Sequence, residues 1–291
     1  MRTVTVTVLM WLWAGCMGLV ALVWVMRHGD ISRAKRGDLA LRDTMDITMG
    51  GACPRVSVLV AAKDEQDNIE TCVRTMLAQD YPDFEMIVID DRSEDRTGEI
   101  LGAMASRDAR LRTIRIDSLP DGWFGKPHAM HRGVAASDGQ WLCFSDADCR
   151  YISPRLLSLA MAYAQLRDVE FLSVLPGLET RAVIERIIQP VCGAVLVFWY
   201  PPEMVNDPSN ERAYANGAFM LIRRDAYERM GGHQAIRNRI MDDMRMAALA
   251  KQQGVRLRVV QNVGLYCTRM YRTLGQMWRG WGRIFQGSFG T

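Results

Sequence analysis

The sequence predicts an α/β domain built on a mainly parallel sheet, preceded by one membrane-spanning segment. Short apolar runs of the kind that form buried parallel strands occur at residues 56–62, 84–89, 111–116 and 141–144. Segments with helical spacing of apolar residues separate these runs, and such alternation is typical of a parallel sheet covered by helices on both faces. The formal net charge of +3, without a long basic run, argues neither for nor against nucleic acid. No other feature indicates such a partner, and we expect none.

The membrane signal is the uncharged segment 3–26, which is rich in Leu, Val, Trp and Met. A segment of this length can cross a hydrocarbon core of about 30 Å. A cleaved signal peptide is the alternative, but the apolar run continues well past Cys16, which favours an uncleaved anchor. Basic residues are more numerous after the run than before it, so the positive-inside rule predicts a cell-membrane protein whose N-terminus is outside and whose remaining chain is cytoplasmic.

The soluble part follows in a regular order. Residues 27–54 are polar, end at Pro54, and are predicted to form a juxtamembrane linker. A helix is expected between the first two strands, another over residues 97–106, and a loop containing Pro and Gly over residues 119–127. The second half is less regular, with an apolar stretch at 191–200, a strand at 217–222 and a helix at 241–252.

Acidic residues follow three of the predicted strands: Glu65 the first, Asp90-Asp91 the second, and Asp146-Ala147-Asp148 the fourth. In open α/β sheets, ligands bind beyond the carboxyl ends of the strands. If the strands are parallel, these groups gather at one edge of the sheet, and this edge is the predicted binding site.

The pair Asp146 and Asp148 is the most informative of these clusters. Two neighbouring carboxylates at the end of a buried strand repel each other and lose hydration, and a divalent cation removes that cost. Hard oxygen ligands suit Mg²⁺ or Mn²⁺, which keep open positions for phosphate oxygens. The alternative is a solvated acidic turn.

Each remaining candidate also has a structural alternative. Asp91 could accept hydrogen bonds from a base or ribose, or cap the next helix, and Glu65 could simply favour a helix start. Lys126 lies in a Gly-containing loop and could reach a phosphate, or be an ordinary surface lysine. Asp242 and Asp243 lie between two Met residues; a partly desolvated carboxylate there could act as a general base or as a helix cap.

Taken in order, these motifs resemble glycosyltransferase family 2, the inverting enzymes with the GT-A fold. The motifs that carry the resemblance, between residues 56 and 289, are Val56-Ser57-Val58-Leu59-Val60-Ala61-Ala62-Lys63-Asp64-Glu65, Val88-Ile89-Asp90-Asp91-Arg92-Ser93, Gly125-Lys126, Ser145-Asp146-Ala147-Asp148, Asn216-Gly217-Ala218-Phe219, Gly231-Gly232-His233 and Asp242-Asp243. The most similar branch is the membrane-bound enzymes that glycosylate lipids such as ceramides, carotenoids or hopanoids.

The resemblance implies a role for each candidate. Ala61, Glu65, Asp91 and Lys126 would bind the nucleotide of a UDP-sugar donor, and Asp146 would face the ribose or metal. Asp148 would bind Mn²⁺ or Mg²⁺ at the diphosphate. Asp243 would take the proton from the hydroxyl of a lipid acceptor at the membrane.

The chain departs from the family pattern in three places. Lys63-Asp64-Glu65 stands where Arg-Asn-Glu is usual, and Asp242 stands where Glu is usual. The Gln-x-x-Arg-Trp motif of processive members is interrupted here by Gly280, which makes Arg279 and Trp281 uncertain acceptor-side residues. The interruption also weakens the alternative of a polysaccharide-type enzyme.

Two further alternatives belong to other functional classes. A sugar nucleotidyltransferase would carry a Gly-rich first loop, but residues 61–65 contain no glycine. A non-catalytic sugar-nucleotide binding module would lack one of the acids, whereas Asp91, Asp148 and Asp243 are all present.

We expect residues 55–268 to form the GT-A catalytic domain and residues 269–291 to form an amphipathic segment at the membrane interface. Trp278, Trp281, Phe285 and Phe289 recur at spacings that place them on one helical face, flanked by arginines. The alternative is that this face packs into the domain core.

Overall fold

The computed structural model describes residues 10–11, 13–19, 21–22, 25–26, 29, 37–51, 53–271 and 273–289. The chain divides into two compact units, Met1–Ala40 and Leu41–Thr291. In the first unit the described residues from 10 to 29 are helical, and side chains such as Trp11 and Trp13 are exposed. Much of the predicted anchor 3–26 lies outside the described residues, and none of the described helices combines the length and apolarity needed to span a bilayer.

The described strands are β1 (Ala40–Arg42), β2 (Val56–Ala62), β3 (Phe84–Asp91), β4 (Leu111–Ile116), β5 (Trp141–Asp146), β6 (Cys149–Tyr151), β7 (Phe171–Leu175), β8 (Gly177–Leu178), β9 (Met220–Arg223), β10 (Leu257–Val263) and β11 (Tyr266–Thr268). The labelled helices are α1 (Ile69–Leu77), α2 (Thr97–Ala105), α3 (Gly125–Ala135), α4 (Leu156–Leu166), α5 (Val183–Trp199), α6 (Pro202–Val205), α7 (Arg224–Arg229), α8 (Gly232–Ala235), α9 (Asp242–Gln252) and α10 (Leu274–Phe289).

The main sheet has the strand order β1-β10-β7-β9-β5-β2-β3-β4. Strand β2 pairs in parallel with both β3 and β5, β3 with β4, and β7 with β10. Strand β9 runs antiparallel to β5 and β7. The predicted α/β architecture with a mixed, mainly parallel sheet is therefore confirmed, and the carboxyl ends of β2, β3 and β5 meet at one edge.

Apolar side chains that alternate along β2 fill the two faces of the sheet. Val58 and Val60 belong to the cluster that includes Met76 of α1, and Leu59 belongs to the cluster that includes Met130 of α3. A strand covered on both faces has no solvated side, which explains its nearly unbroken apolar sequence.

A small second sheet follows the acidic end of β5. Strand β11 lies between β6 and β8, antiparallel to β6 and parallel to β8. Cys149 of β6 pairs with Thr268 of β11, so the turn that carries Asp148 is held by a strand from the far end of the domain.

The second half of the predicted linker 27–54 is part of the folded unit. Leu41 is fully buried, and Met45, Ile47 and Met49 pack against the main core. These apolar residues alternate with polar ones, so the polar composition of the segment led to the prediction of a linker.

The predicted loop 119–127 ends earlier than expected, because α3 already begins at Gly125. Pro127 is compatible with the first turn of a helix, where its missing N–H has no intrahelical partner. The change places Lys126 at the start of a helix.

Helix α10 also differs from the prediction. Trp278 is 81% exposed, whereas Trp281 is 6% exposed, so the two tryptophans do not share one accessible face. The Trp281 indole N–H donates to Gln189 of α5 at 3.1 Å, and its ring stacks on Phe285 with centroids 5.6 Å apart. The predicted interfacial stripe is therefore wrong for Trp281, which packs against α5. The side chain of Phe289 lies outside the described residues.

Candidate active site

The loops that follow β2 and β3 are joined by hydrogen bonds from backbone N–H groups to side-chain oxygens. The Asp64 N–H donates to the Ser93 hydroxyl at 3.0 Å, and the Glu94 N–H donates to the Asp64 carboxylate at 2.8 Å. The Glu65 N–H donates to the Thr97 hydroxyl at 2.8 Å. These bonds hold the two strand ends side by side. The Glu65 carboxylate accepts a hydrogen bond from the side-chain amide of Asn68 at 2.7 Å.

Asp90 and Asp91 have different environments at the end of β3. Asp90 is buried and accepts hydrogen bonds from the Ser93 N–H at 3.1 Å and from Arg115 at 2.5 Å, so its role is to fix the loop. The Asp91 carboxylate is held by the Arg92 guanidinium at 2.8 and 3.0 Å. A Cβ at Gly125 would overlap the Asp91 carboxylate, so only glycine allows α3 to begin here.

The end of β5 lies next to that of β2, with Asp146 in register with Ala61. Burial, and then the neighbouring charge of Asp146, raise the pKa of Asp148 to about 6. Burial also raises the pKa of Glu65, with further contributions from Asp148 and Asp146, so these three carboxylates share one electrostatic environment. Among the described residues, no group of three or more His, Cys, Asp or Glu side chains forms a ready metal site.

Lys126 joins the two halves of this cluster. Its ammonium donates to Asp146 at 2.8 Å and lies 3.5 Å from Asp242. Burial alone would lower the pKa of Lys126, but Asp146, Asp242 and Asp243 raise it well above its ordinary value. The lysine therefore remains charged and compensates carboxylates at the end of β5 and at the start of α9.

Asp242 and Asp243 begin α9 and face the same cluster. The Gly217 N–H donates to the Asp243 carboxylate at 3.0 Å. A Cβ at Gly217 would lie 2.8 Å from the Lys126 ammonium and 3.7 Å from Asp146. Burial, followed by the charge of Asp242, raises the pKa of Asp243 to about 6.

The structure thus brings eight of the ten predicted residues to one edge of the sheet, namely Ala61, Glu65, Asp91, Lys126, Asp146, Asp148, Asp242 and Asp243. The other two, Arg279 and Trp281, are on α10, and no hydrogen bond or ion pair of the described residues joins them to the acidic cluster. Arg279 is exposed, and Trp281 is held by Gln189.

The sequence argument assigned no role to Arg92 and His233, which lie beside acids of this edge, or to Tyr271, which lies against Gly280 of α10. Arg92 holds Asp91, and His233 lies 4.0 Å from Asp242. Tyr271 lies so close to Gly280 that a Cβ there would overlap its ring. Burial raises the pKa of Tyr271, and the charge of Asp148 adds a smaller contribution. Gly280, which interrupts the expected motif, was the sequence signal for this contact, because a glycine within a helix often marks a place where another group packs closely against the helix.

In chemical terms, the edge holds the carboxylates of Asp146 and Asp148 beside the Lys126 ammonium. A third carboxylate, that of Asp243, is oriented by the Gly217 N–H. The first pair can accept a divalent cation. The third has a pKa near neutrality, as a general base requires.

Comparison with known proteins points to one family. Residues 57–231 match the description "Glycosyl transferase family 2". A beta-monoglucosyldiacylglycerol synthase of Trichormus variabilis is 34% identical over 111 residues, covering 38% of this chain and 23% of the relative. The matched segment thus spans only about a quarter of the relative's length.

Solved structures share the fold at low sequence identity. A mannosyltransferase from Pyrobaculum calidifontis, in complex with GDP-Man and Mn²⁺, has a TM-score of 0.63 and 21% identity, covering 91% of this chain and 71% of that one. The glucosyl-3-phosphoglycerate synthase of Mycobacterium tuberculosis, in complex with Mn²⁺, UDP and glucosyl-3-phosphoglycerate, has a TM-score of 0.56 and 17% identity, covering 85% of each chain.

Proposed function

Because the chain belongs to glycosyl transferase family 2, we propose that it transfers a sugar from a UDP-sugar to a hydroxyl of a membrane lipid, with inversion at the anomeric carbon. One observation carries the proposal: Lys126 lies between Asp146 at the end of β5 and Asp242 at the start of α9. This geometry places a candidate donor-side acid and the candidate acceptor-side acids in one cluster.

The nucleotide half of the donor is assigned to the ends of β2 and β3. Asp91 is oriented by Arg92 and can accept hydrogen bonds from the nucleoside, and Glu65 lies on the neighbouring loop. Ala61 is in register with Asp146 and would lie beside the nucleotide. The UDP complex of the mycobacterial neighbour supports a uridine donor, whereas the GDP-Man complex makes guanosine the alternative that must be tested.

The carboxylate ligands at the end of β5 fit Mn²⁺ or Mg²⁺. Asp148 and Asp146 would hold the ion, and the raised pKa of Asp148 reflects a carboxylate that burial and a like charge have destabilised. A cation bound through one or two carboxylates keeps positions for phosphate oxygens, in agreement with the small number of acids gathered here. When bound, the ion neutralises charge on the departing diphosphate.

Asp243 is proposed as the general base. It takes the proton of the acceptor hydroxyl as that oxygen bonds to the anomeric carbon, while the bond from that carbon to the diphosphate oxygen breaks. The Gly217 N–H orients the carboxylate, and the Lys126 ammonium offsets the charge of the surrounding acids.

The lipid acceptor and the membrane location are supported by two observations. A monoglucosyldiacylglycerol synthase is among the relatives. In addition, α5 presents apolar side chains such as Val183 (71% exposed) and Ile187 (58% exposed), and Trp278 of α10 is accessible. With the uncharged segment 3–26 as an anchor, these surfaces would keep a cytoplasmic catalytic domain at the bilayer.

The experiment has two steps. Calorimetry with UDP-, GDP- and dTDP-sugars in the presence of Mn²⁺ identifies the donor, and incubation with diacylglycerol- or ceramide-containing vesicles then tests transfer. A single sugar on a lipid is the expected product. Repeated addition of sugar would indicate a polysaccharide-type enzyme. Release of pyrophosphate from a sugar phosphate and UTP would indicate a nucleotidyltransferase. Donor binding without turnover would indicate a non-catalytic module.

A further inference from the structure

A buried imidazole and a buried carboxylate face each other behind the candidate active site. The Nε2 atom of His233 lies 4.0 Å from an oxygen of Asp242. The His233 side chain is 1% exposed and that of Asp242 is 5% exposed. Within the described part of the chain, neither of these two atoms makes a hydrogen bond. Burying two polar atoms without hydrogen bonds is unfavourable, so an approach of about 1 Å that joins them is favoured.

The other side of the imidazole is fixed by Tyr227. The Tyr227 hydroxyl accepts the His233 backbone N–H at 2.9 Å and lies 2.9 Å from Nδ1. Nδ1 is the acceptor that the described residues offer to the Tyr227 hydroxyl proton. With the hydroxyl donating to Nδ1, the single proton of a neutral ring is on Nε2, facing Asp242. Burial, followed by the charge of Lys126, lowers the pKa of His233 to about 3, so the ring is neutral at pH 7.

The position of the ring is determined by packing. Its centroid lies 4.9 Å from that of Phe144 and 5.6 Å from that of Tyr227. Gly232 has φ of +53°, and a Cβ there would lie 2.6 Å from the Tyr227 ring. Only glycine therefore lets Tyr227 approach the His233 backbone this closely.

We propose that His233 is a positioning residue whose Nε2–H donates to Asp242 and holds that carboxylate beside Lys126. The same oxygen of Asp242 lies 3.5 Å from the Lys126 ammonium, which in turn donates to Asp146. A relay therefore runs from Tyr227 through His233, Asp242 and Lys126 to Asp146. The relevance of this relay to catalysis rests on the proposed function, in which Lys126 and Asp146 contact the donor.

The kinetic test compares two replacements of His233 in the full chain. His233→Phe keeps a ring in the aromatic pocket but removes the donor, and is expected to lower kcat/KM about tenfold. His233→Gln keeps a side-chain N–H donor and is expected to retain activity within about threefold of wild type. Equal losses in both variants, or no loss in His233→Phe, would show that an N–H donor at this position does not determine activity and would overturn the proposal.

A double-mutant cycle shows whether His233 acts through Asp242. In an Asp242→Ala background, which leaves no side-chain acceptor for Nε2–H, His233→Phe should change kcat/KM by less than about twofold, because the interaction is already absent. A full additional tenfold loss would mean that His233 acts elsewhere. Thermal melts identify any variant that fails to fold.

An NMR measurement of the His233 tautomer tests this proposal independently of the proposed function. In the ¹⁵N-histidine-labelled full chain, the resonances that disappear in His233→Phe should report a neutral Nε2–H tautomer at pH 7. An Nδ1–H tautomer or a charged ring would overturn the proposal, even if transfer is observed. Absence of sugar transfer by the wild-type chain would overturn the proposed function, while the tautomer would still decide the role of His233.

Discussion

The ammonium nitrogen of Lys126 lies 2.8 Å from a carboxylate oxygen of Asp146. Lys126 begins α3 and Asp146 ends β5, so the contact joins a helix start to the carboxyl end of a central strand. The neighbouring acids keep the pKa of Lys126 well above its ordinary value despite burial. The site is therefore organised around a permanent positive charge, and this organisation makes it sensitive to small changes around the lysine.

Replacing Gly217 with Ala is expected to displace the Lys126 ammonium and lower kcat/KM by about tenfold or more, with the fold retained. The new Cβ would lie 2.8 Å from Nζ, so the ammonium must shift away from its present position between Asp146 and Asp242. The matched control is Gly102→Ala in α2, where a Cβ meets no atom within 4 Å and about 0.5–1 kcal/mol of helix stability is gained. Steady-state kinetics that do not distinguish the two variants would contradict the prediction.

Asp148→Asn is expected to abolish transfer and to raise the melting temperature of the metal-free protein at pH 7.5 by a few degrees. The pKa of Asp148 is about 6, above that of an unfolded chain, so the folded state binds the proton more tightly and loses stability as pH rises from about 4 to 6. The neutral amide removes that penalty, and it is also a poor cation ligand. Thermal melts with and without Mn²⁺ measure both effects.

The control for this variant is Asp117→Asn, because the Asp117 side chain is 88% exposed. It should change neither the melting temperature nor the activity. Full activity of Asp148→Asn in the presence of Mn²⁺ would exclude a metal-binding role for this residue.

Asp243→Asn is expected to bind the donor within about twofold of wild type but to lose transfer by about 10²–10⁴-fold. The amide oxygen can still accept the Gly217 N–H, so the local structure is preserved, but the amide cannot take a proton. Calorimetry measures donor affinity, and single-turnover assays measure transfer. A collapse of donor affinity with the fold intact would make Asp243 a donor ligand.

The wild-type enzyme is expected to lose activity as pH falls below about 6. Burial and the charge of Asp242 raise the pKa of Asp243 to about 6, and the protonated carboxyl cannot accept the acceptor's proton. The fall in kcat should approach tenfold per pH unit at saturating substrate. A flat profile between pH 5 and 7, under conditions where the protein stays folded, would argue against a base with this pKa.

The two tryptophans of α10 are expected to separate membrane binding from stability. Trp278→Ala removes an exposed ring and should weaken binding to anionic vesicles without altering the melting temperature. Trp281→Ala removes a buried ring that donates to Gln189 and should destabilise the fold by about 3–5 kcal/mol. Vesicle co-sedimentation of the chain lacking residues 1–26 gives the first effect, and unaltered binding by Trp278→Ala would exclude an interfacial role.

The strand ends were predictable because their information is local. The apolar run of β2 and the acids that follow β3 and β5 are contiguous in sequence, and parallel pairing places such ends at one edge wherever the sheet is formed. The site residues that depend on long-range contacts were harder to predict from the sequence. His233 was visible only as part of a Gly-Gly-His motif, and its partner Asp242 could not be read from spacing.

The sequence by itself determined the α/β class, the first four strands of the catalytic unit and the acids of the donor edge, because hydrophobic periodicity and turn residues act over a few positions. Only the tertiary structure decided which side chains meet across the domain. It brought Asp242 to Lys126, and it turned Trp281 towards Gln189 while leaving Trp278 exposed. A helix with apolar residues on much of its surface has several faces that could be buried, and its neighbours in the fold select among them.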